Sequence, residues 1–473
     1  MSKTCGVVVA ALAAGLSSTA PAVAQSGCSQ WVMVSPATRP APRYSHMLAF
    51  DARRGKTVLF GGNIAGGSPI PPVYANDTWE FDGTNWTHRD IPNPPPARGT
   101  GSLVFDSARG VCVLFGGQNT SGRLGDTWEY DGTAWTQRAN SGPAPRVSHH
   151  MAFDSARNVT VLHAGFGGPL PVGTLLGDTW EWNGQAWSLQ LPLISPLPRV
   201  SAGAAFDSLR SRFVMFAGGG AFRATAETWE YDSLSWDLRF NNVEFWRITP
   251  AMCFDSARGK SIAFGGILGN IRYADEFEWD GETWQHFDIP GPGPRSDSLM
   301  VYDSIRRRAV LFGGESSQPA RLNDTWELVN LNPITITASP RSQSVMIGGS
   351  VSLSGAATGN GLTYQWRRNG IAIPGATDPS WSIKHASFAD RGTYDLVVSN
   401  SCGSQATAPA VLSITLSDCP ADINGDGQVN PDDLGDYIDL FFIMHGPDAD
   451  FNGDGRVDPD DLGDFINQFF VGC

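Results

Sequence analysis

The sequence predicts a mainly β chain of three parts: a six-bladed β-propeller, a β-sandwich and a small acidic α-helical module. Three observations predict it. A motif, Asp-Thr-Trp-Glu or a close variant, recurs six times at spacings of 49, 52, 49, 48 and 49 residues. The stretch after it alternates β-branched with polar residues, and Trp becomes rare. The final segment, 418–473, holds 14 Asp and one basic residue, Arg456. A length of 473 residues fits two to four domains at roughly 100–200 residues each.

Residues 1–24 read as a secretory signal. Lys3 is the short positive region, Val7 to Leu16 the apolar core, and Ala22-Val23-Ala24 a small-x-small cleavage site. The apolar run is too short to span a bilayer, and no later run reaches about 20 apolar residues. The expectation is a secreted chain with no transmembrane segment after cleavage. Export allows disulfides among Cys28, Cys112, Cys253, Cys402, Cys419 and Cys473. Cys112 and Cys253 lie in strand-like runs and read as small core residues.

Residues 28–331 form the repeat region. The motif begins at Asp77, Asp126, Asp178, Glu227, Asp275 and Asp324. Each copy follows a Gly pair: Gly61-Gly62, Gly116-Gly117, Gly167-Gly168, Gly218-Gly219, Gly265-Gly266 and Gly313-Gly314. An apolar run and a turn precede each pair, and a second Trp follows five motifs, at Trp86, Trp135, Trp187, Trp236 and Trp284. Four short strands repeated about every 50 residues predict a propeller blade, so six units predict six blades. The sixth unit lacks its fourth strand. Gln30-Trp31-Val32-Met33 has the look of that strand, so the N-terminal strand is expected to close the ring and remove a sheet edge.

The Gly pairs and spaced aromatics resemble the kelch repeat family. The resemblance implies the propeller architecture; propellers host enzymes, sugar binders and protein binders alike. An Arg precedes each first strand: Arg43, Arg98, Arg146, Arg199, Arg247 and Arg295. One reading pairs each with a repeated acidic residue. The other makes a ring of cations near the channel that binds an anion or acidic sugar. No Gly-x-Ser-x-Gly elbow, phosphate loop or histidine metal motif occurs, so no catalytic residue is assigned.

Residues 333–416 carry frequent turn signals and short alternating runs such as Val351 to Ser354 and Thr393 to Val398, which predict the sandwich. Asp390-Arg391-Gly392-Thr393-Tyr394 resembles the Asp-x-Gly-x-Tyr corner of the immunoglobulin fold, and Trp366 matches that family's buried Trp. The resemblance implies an immunoglobulin-like spacer. Leu353 and Leu396 stand where the family has its two Cys. Cys402 is left to pair with Cys28 or with nothing.

Residues 418–473 carry two matched loops 28 residues apart. Asp422, Asn424 and Asp426 hold loop positions 1, 3 and 5, and Asp433 holds position 12. Asp450, Asn452, Asp454 and Asp461 repeat the set. Gly427 and Gly455 allow the sharp turn, and Gln428 and Arg456 offer backbone carbonyls. Hard oxygen donors in this order predict two bound Ca²⁺ ions. Helices follow, with stripes Leu434, Tyr437, Ile438, Phe441, Phe442 and Leu462, Phe465, Ile466, Phe469, Phe470. Cys419 and Cys473 bracket the module and are candidates for a disulfide staple. The duplicated loop-helix ending in Asp resembles type I dockerin modules, which implies a cohesin-like or surface scaffold partner. Pro431-Asp432 and Pro459-Asp460 depart from the family at loop positions 10 and 11.

The net charge is −14, and the acidic module carries −13 of it. No basic stripe exists, so a nucleic-acid partner is not expected. The leading reading is a secreted recognition or adhesion protein whose propeller binds a glycan or a protein. One alternative is an extracellular O-glycosyl hydrolase in polysaccharide catabolism, with paired carboxylates on the propeller face. Another is a purely structural surface protein.

Overall fold

The computed structural model describes residues 28–65, 71–168, 173–221, 223–242, 245–317, 321–331, 334–400, 402–415, 421–423, 428–439, 451 and 456–471. The signal segment 1–24 lies outside them, as do Asn424, Asp426, Asp450, Asn452, Asp454, Cys419 and Cys473. The chain is mainly β and divides into two compact units, Ser29–Asn332 and one containing Pro333–Cys473. Among the described residues, no helix is long and apolar enough to cross a membrane.

Among the described residues, six antiparallel sheets of four or five strands form the body of the first unit. Met47–Asp51, Lys56–Asn63, Tyr74–Phe81 and Trp86–Arg89 pair in chain order in the first. Sheets two to five repeat the order from Ser102–Asp106, His150–Asp154, Gly203–Asp207 and Ala251–Asp255. The sixth holds Leu299–Asp303, Arg308–Phe312 and Thr325–Leu331, and its fourth strand is Cys28–Val34 from the start of the chain. The first strand of each sheet lies beside that of the next, and Leu299–Asp303 lies beside Met47–Asp51.

Alternation along a strand sends successive side chains to opposite faces, so each sheet packs against two neighbours. Met47 and Ala49 are buried with Leu103 and Leu114 of the second sheet, whereas Leu48 is buried with Val310 and Phe312 of the sixth. The fourth-strand Trp residues tie adjacent sheets. Trp135 Nε1 donates to Thr78 Oγ1 (3.0 Å), Trp187 to Thr127 (2.8 Å), Trp236 to Thr179 (3.1 Å) and Trp284 to Thr228 (2.8 Å). Trp86 donates to Thr325 of the sixth sheet at 2.9 Å. A buried indole needs such an acceptor, and truncating one to Ala costs about 3–5 kcal/mol.

In the second unit, Gln343–Met346, Ala410–Thr415, Gly392–Asn400 and Thr363–Arg368 share one sheet, and Val351–Ser354 pairs with Ser380–Ile383. Val351, Leu353, Trp366, Tyr394, Leu396 and Leu412 are buried together. Tyr394 Oη donates to the Asp390 carbonyl at 2.7 Å, and Trp366 Nε1 to the Asp378 carbonyl at 3.0 Å. Cys402 is disulfide-bonded, and its partner sulfur lies outside the described side chains.

Among the described residues, two helices follow, α1 (Pro431–Asp439) and α2 (Pro459–Val471). Each starts with Pro at the position where a missing N–H costs nothing. Asn430 Oδ1 accepts the Asp432 N–H, and Asp433 Oδ2 accepts the Asn430 N–H, a reciprocal cap. Asp458, Asp460 and Asp461 repeat it. Tyr437 and Phe465 stack at 3.9 Å, so the two apolar stripes meet there; Phe441 and Phe442 lie outside the described residues.

Candidate functional site

The repeated Arg residues are structural. Arg43 donates to both carboxylate oxygens of Asp77, at 2.7 and 2.8 Å, and to the Gly61 carbonyl at 2.9 Å. Arg98 binds Asp126, Arg146 binds Asp178, Arg247 binds Asp275 and Arg295 binds Asp324 in the same bidentate way. Arg199 binds Glu227. All six guanidinium side chains are at most 3% exposed. Of the two readings of these residues, the pairing with the repeated acidic residues is the one observed; the alternative anion-binding ring is corrected, because each charge is already matched and covered. Burial acts to raise the Asp77 carboxyl, but Arg43 and the Trp79 N–H hold it below its ordinary value.

The same bonds correct the Gly pairing. Arg146 reaches the Ala164 carbonyl and Arg199 the Ala217 carbonyl. The left-handed pair is Ala164-Gly165 in the third repeat and Ala217-Gly218 in the fourth, not Gly167-Gly168 or Gly218-Gly219. A Cβ at Gly62 would lie 2.8 Å from His46 Cβ, which explains the second Gly.

Two residues beyond each Arg stands a second ring, which sequence reasoning missed. Ser45, Thr100, Ser148, Ser201, Thr249 and Asp297 all adopt left-handed backbone, with φ from 52 to 59°. Such geometry costs roughly 1–2 kcal/mol per non-Gly residue. A chain of hydrogen bonds offsets it. Thr100 N donates to the Ser45 carbonyl (2.9 Å), Ser148 to Thr100 (2.9 Å), Ser201 to Ser148 (3.1 Å) and Thr249 to Ser201 (2.6 Å). Ser45 N donates to the Asp297 carbonyl at 3.3 Å, linking the sixth sheet to the first. The signal was present as Arg-x-Ser/Thr/Asp, repeated six times.

The ring lines a cavity of about 360 Å³. Leu48, Phe50, Phe206, Met252 and Tyr302 are among the apolar and aromatic side chains of its walls. Burial pushes the Asp297 carboxyl up to about 6; Ser296, Arg272 and Thr249 oppose the shift and Glu315 adds to it. His46 and His149 also line the cavity, yet both rings are buried and neither has a hydrogen-bond partner. Burial, then Arg43, lowers His46 to about 3, so the imidazole is neutral. His150 Nε2 accepts the Ala202 N–H.

The Glu of each motif is also engaged. Arg54 bridges Asp51 (2.6 Å) and Glu80 (2.5 Å), and Arg109 bridges Asp106 and Glu129. Arg157, Arg210, Arg258 and Arg306 repeat this bridge. Cys112 and Cys253 are buried free thiols, and burial pushes both pKa values up.

In the acidic segment, Asp422, Asp433 and Asp461 are buried, at 6%, 0% and 0% exposure, while Gln428 and Arg456 are exposed. Asp433 and Asp461 each give one oxygen to a cap, and the same placement in both copies fits a paired set of hard-oxygen donors. Among the described residues, no three His, Cys, Asp or Glu side chains converge on a metal-sized site. The other expected donors lie outside those residues.

These features define a β-rich repeat protein with a cavity lined by residues of all six sheets. The model of the KLHDC2/KLHL20/DRC7 Kelch-repeats domain matches residues 23–189, so the kelch resemblance holds over that segment and points to a role in protein interaction. No curated protein matches. Among solved structures, tandem Ig repeats of Dlar are 15% identical with a TM-score of 0.18, over 22% of this chain and 74% of that one. The titin M4 domain in its trigonal form is 22% identical with a TM-score of 0.16, over 17% and 95%.

Proposed function

We propose that this chain is a secreted, multidomain recognition protein. In this reading the six sheets form a closed six-bladed propeller, the β unit after it is an immunoglobulin-like spacer, and the acidic segment is a dockerin-like calcium module. The observation that carries it is the run of inter-sheet hydrogen bonds from Ser45 to Thr249 and from Asp297 to Ser45 around one cavity. Such a frame holds the rim loops rigidly, which lowers the entropic cost of binding. The kelch match over 23–189 favours a protein partner.

The corner bond from Tyr394 to Asp390 supports the spacer. In the calcium module, Asp422, Asn424, Asp426, the Gln428 carbonyl and Asp433 would hold one ion. Asp450, Asn452, Asp454, the Arg456 carbonyl and Asp461 would hold the other. Bound Ca²⁺ supplies the positive charge that lets these carboxylates lie close together.

The test is capture from protein and glycan arrays with the full chain, with and without a calcium chelator. Chelator-independent capture of a protein through the repeat region is expected, together with chelator-sensitive capture through the tail. Release of reducing sugar from polysaccharides without stable capture would reverse the reading in favour of a hydrolase.

A further inference from the structure

The axial cavity is polar at one level and apolar along its walls. The backbone N–H groups of Ser45, Thr100, Ser148, Ser201 and Thr249 are committed to the inter-sheet hydrogen bonds, so the ring side chains are the main groups left to recognise a ligand. Five of them are hydroxyls. Thr100 Oγ1 donates to the Gly99 carbonyl at 2.6 Å, which leaves its lone pairs as acceptors. The sixth is the carboxylate of Asp297. Among the described residues Asp297 forms no ion pair: Arg272 is held by Glu315 at 2.5 Å and donates to Ser296 Oγ at 3.2 Å. Independently, Ser298 lines the same cavity at 2% exposure, and its Oγ has no hydrogen-bond partner.

A half-buried carboxylate that lines a cavity and forms no ion pair among the described residues attracts a cation. A metal ion is the poorer occupant, because no three acidic, His or Cys groups converge among the described residues. A neutral sugar would satisfy the hydroxyls but leave the charge unmatched. Walls that include Leu48, Phe206 and Met252 suit a chain of methylenes.

We propose that this cavity accepts a primary alkylammonium group, the side chain of a lysine on a protein partner. Its head lies at Asp297 and the ring hydroxyls, and its stem lies along the strand walls. The ammonium has three donors and no acceptor, which matches a ring of oxygens. The proposal rests on the binding reading above and names the chemistry that the axial site selects.

The experiment is calorimetric titration of the full chain with acetyl-Gly-Lys-Gly-amide, its norleucine analogue and n-butylammonium. The lysine peptide and n-butylammonium are expected to bind, and the norleucine peptide at least 10-fold more weakly. Asp297→Asn should weaken both amines at least 10-fold without lowering the melting temperature, because Asn tolerates left-handed backbone. Ser298→Ala should weaken them a few-fold. Binding of n-butylammonium alone would assign the site to free amines and overturn the lysine assignment. Equal binding of the norleucine peptide, or binding unchanged in Asp297→Asn, would overturn the proposal. Binding of neither amine would do the same, while capture of a protein elsewhere on the repeats would leave the recognition reading standing.

Discussion

Trp31 Nε1 donates to Glu276 Oε2 at 2.9 Å, across 245 residues of chain. In the other five sheets the corresponding indole meets a Thr hydroxyl. The strand that joins the start of the chain to the sixth sheet is thus pinned to the fifth by a carboxylate, at 1% exposure. Burial, and then Glu278, raises Glu276 to about 8, while Arg258, Trp31 and Ser29 oppose the rise.

That contact predicts a pH-dependent stability. The folded carboxyl holds its proton to about pH 8, whereas the unfolded one loses it near 4.5. The folded state therefore binds more protons between those values, and its stability falls as pH rises through that window. Glu276→Gln removes the dependence and keeps an acceptor for Trp31. Melting curves at pH 5 and pH 9 check it. The unmodified chain should lose several degrees more than the variant, and equal losses would count against a neutral Glu276.

The buried imidazoles predict a second limb with the opposite sign. His46 and His150 fall to about 3 and His149 and His163 well below 6.5, in each case chiefly through burial. Stability is complete above about pH 6.5 and is lost as pH falls toward 3, because only the unfolded chain takes up protons. Each histidine contributes a slope of up to about 1.4 kcal/mol per pH unit. His46→Phe with His149→Phe should lower the acid unfolding midpoint seen by Trp fluorescence. An unchanged midpoint means that other groups set acid unfolding.

Arg98 predicts the cost of breaking a matched buried pair. Arg98→Ala leaves Asp126 uncompensated and should destabilise the chain by about 3–5 kcal/mol. Arg98→Lys cannot make the bidentate pair and should recover only part of that loss. Urea unfolding measures both, and a loss under about 1 kcal/mol for Arg98→Ala would show the pair to be dispensable.

The duplicated loops predict a stoichiometry. Calorimetry with CaCl₂ on the full chain should report two ions. Asp433→Asn and Asp461→Asn should each remove one, since both carboxylates are buried and hold equivalent places. A stoichiometry of zero removes calcium from the proposed function.

Much of the fold was legible because repetition made it so. Asp77 and its five equivalents, the paired Trp residues and the orphan strand at Trp31 recur at near-constant spacing, and each recurrence confirms the same four-stranded unit. The Gly pairing misled in repeats three and four, because Ala164 and Ala217 take left-handed backbone that composition assigns to Gly. The Asp-Thr-Trp-Glu signature also drew attention to Trp and Glu, which sit in sheet packing and ion pairs rather than on the axis.

By itself the sequence determined the period of the repeat, the partition of charge into the last segment and the matched order of oxygen-bearing residues in its two loops. Those properties depend on residue type at fixed spacing along one chain. The tertiary structure alone decided that the six Arg are spent on carboxylates, that Ser45, Thr100, Ser148, Ser201 and Thr249, 48–55 residues apart, meet as hydrogen-bonded neighbours, and that Glu276 replaces a Thr under Trp31. Each of these depends on which groups water can still reach. Burial and pairing are set by neighbouring sheets distant in the chain, and no local pattern encodes them.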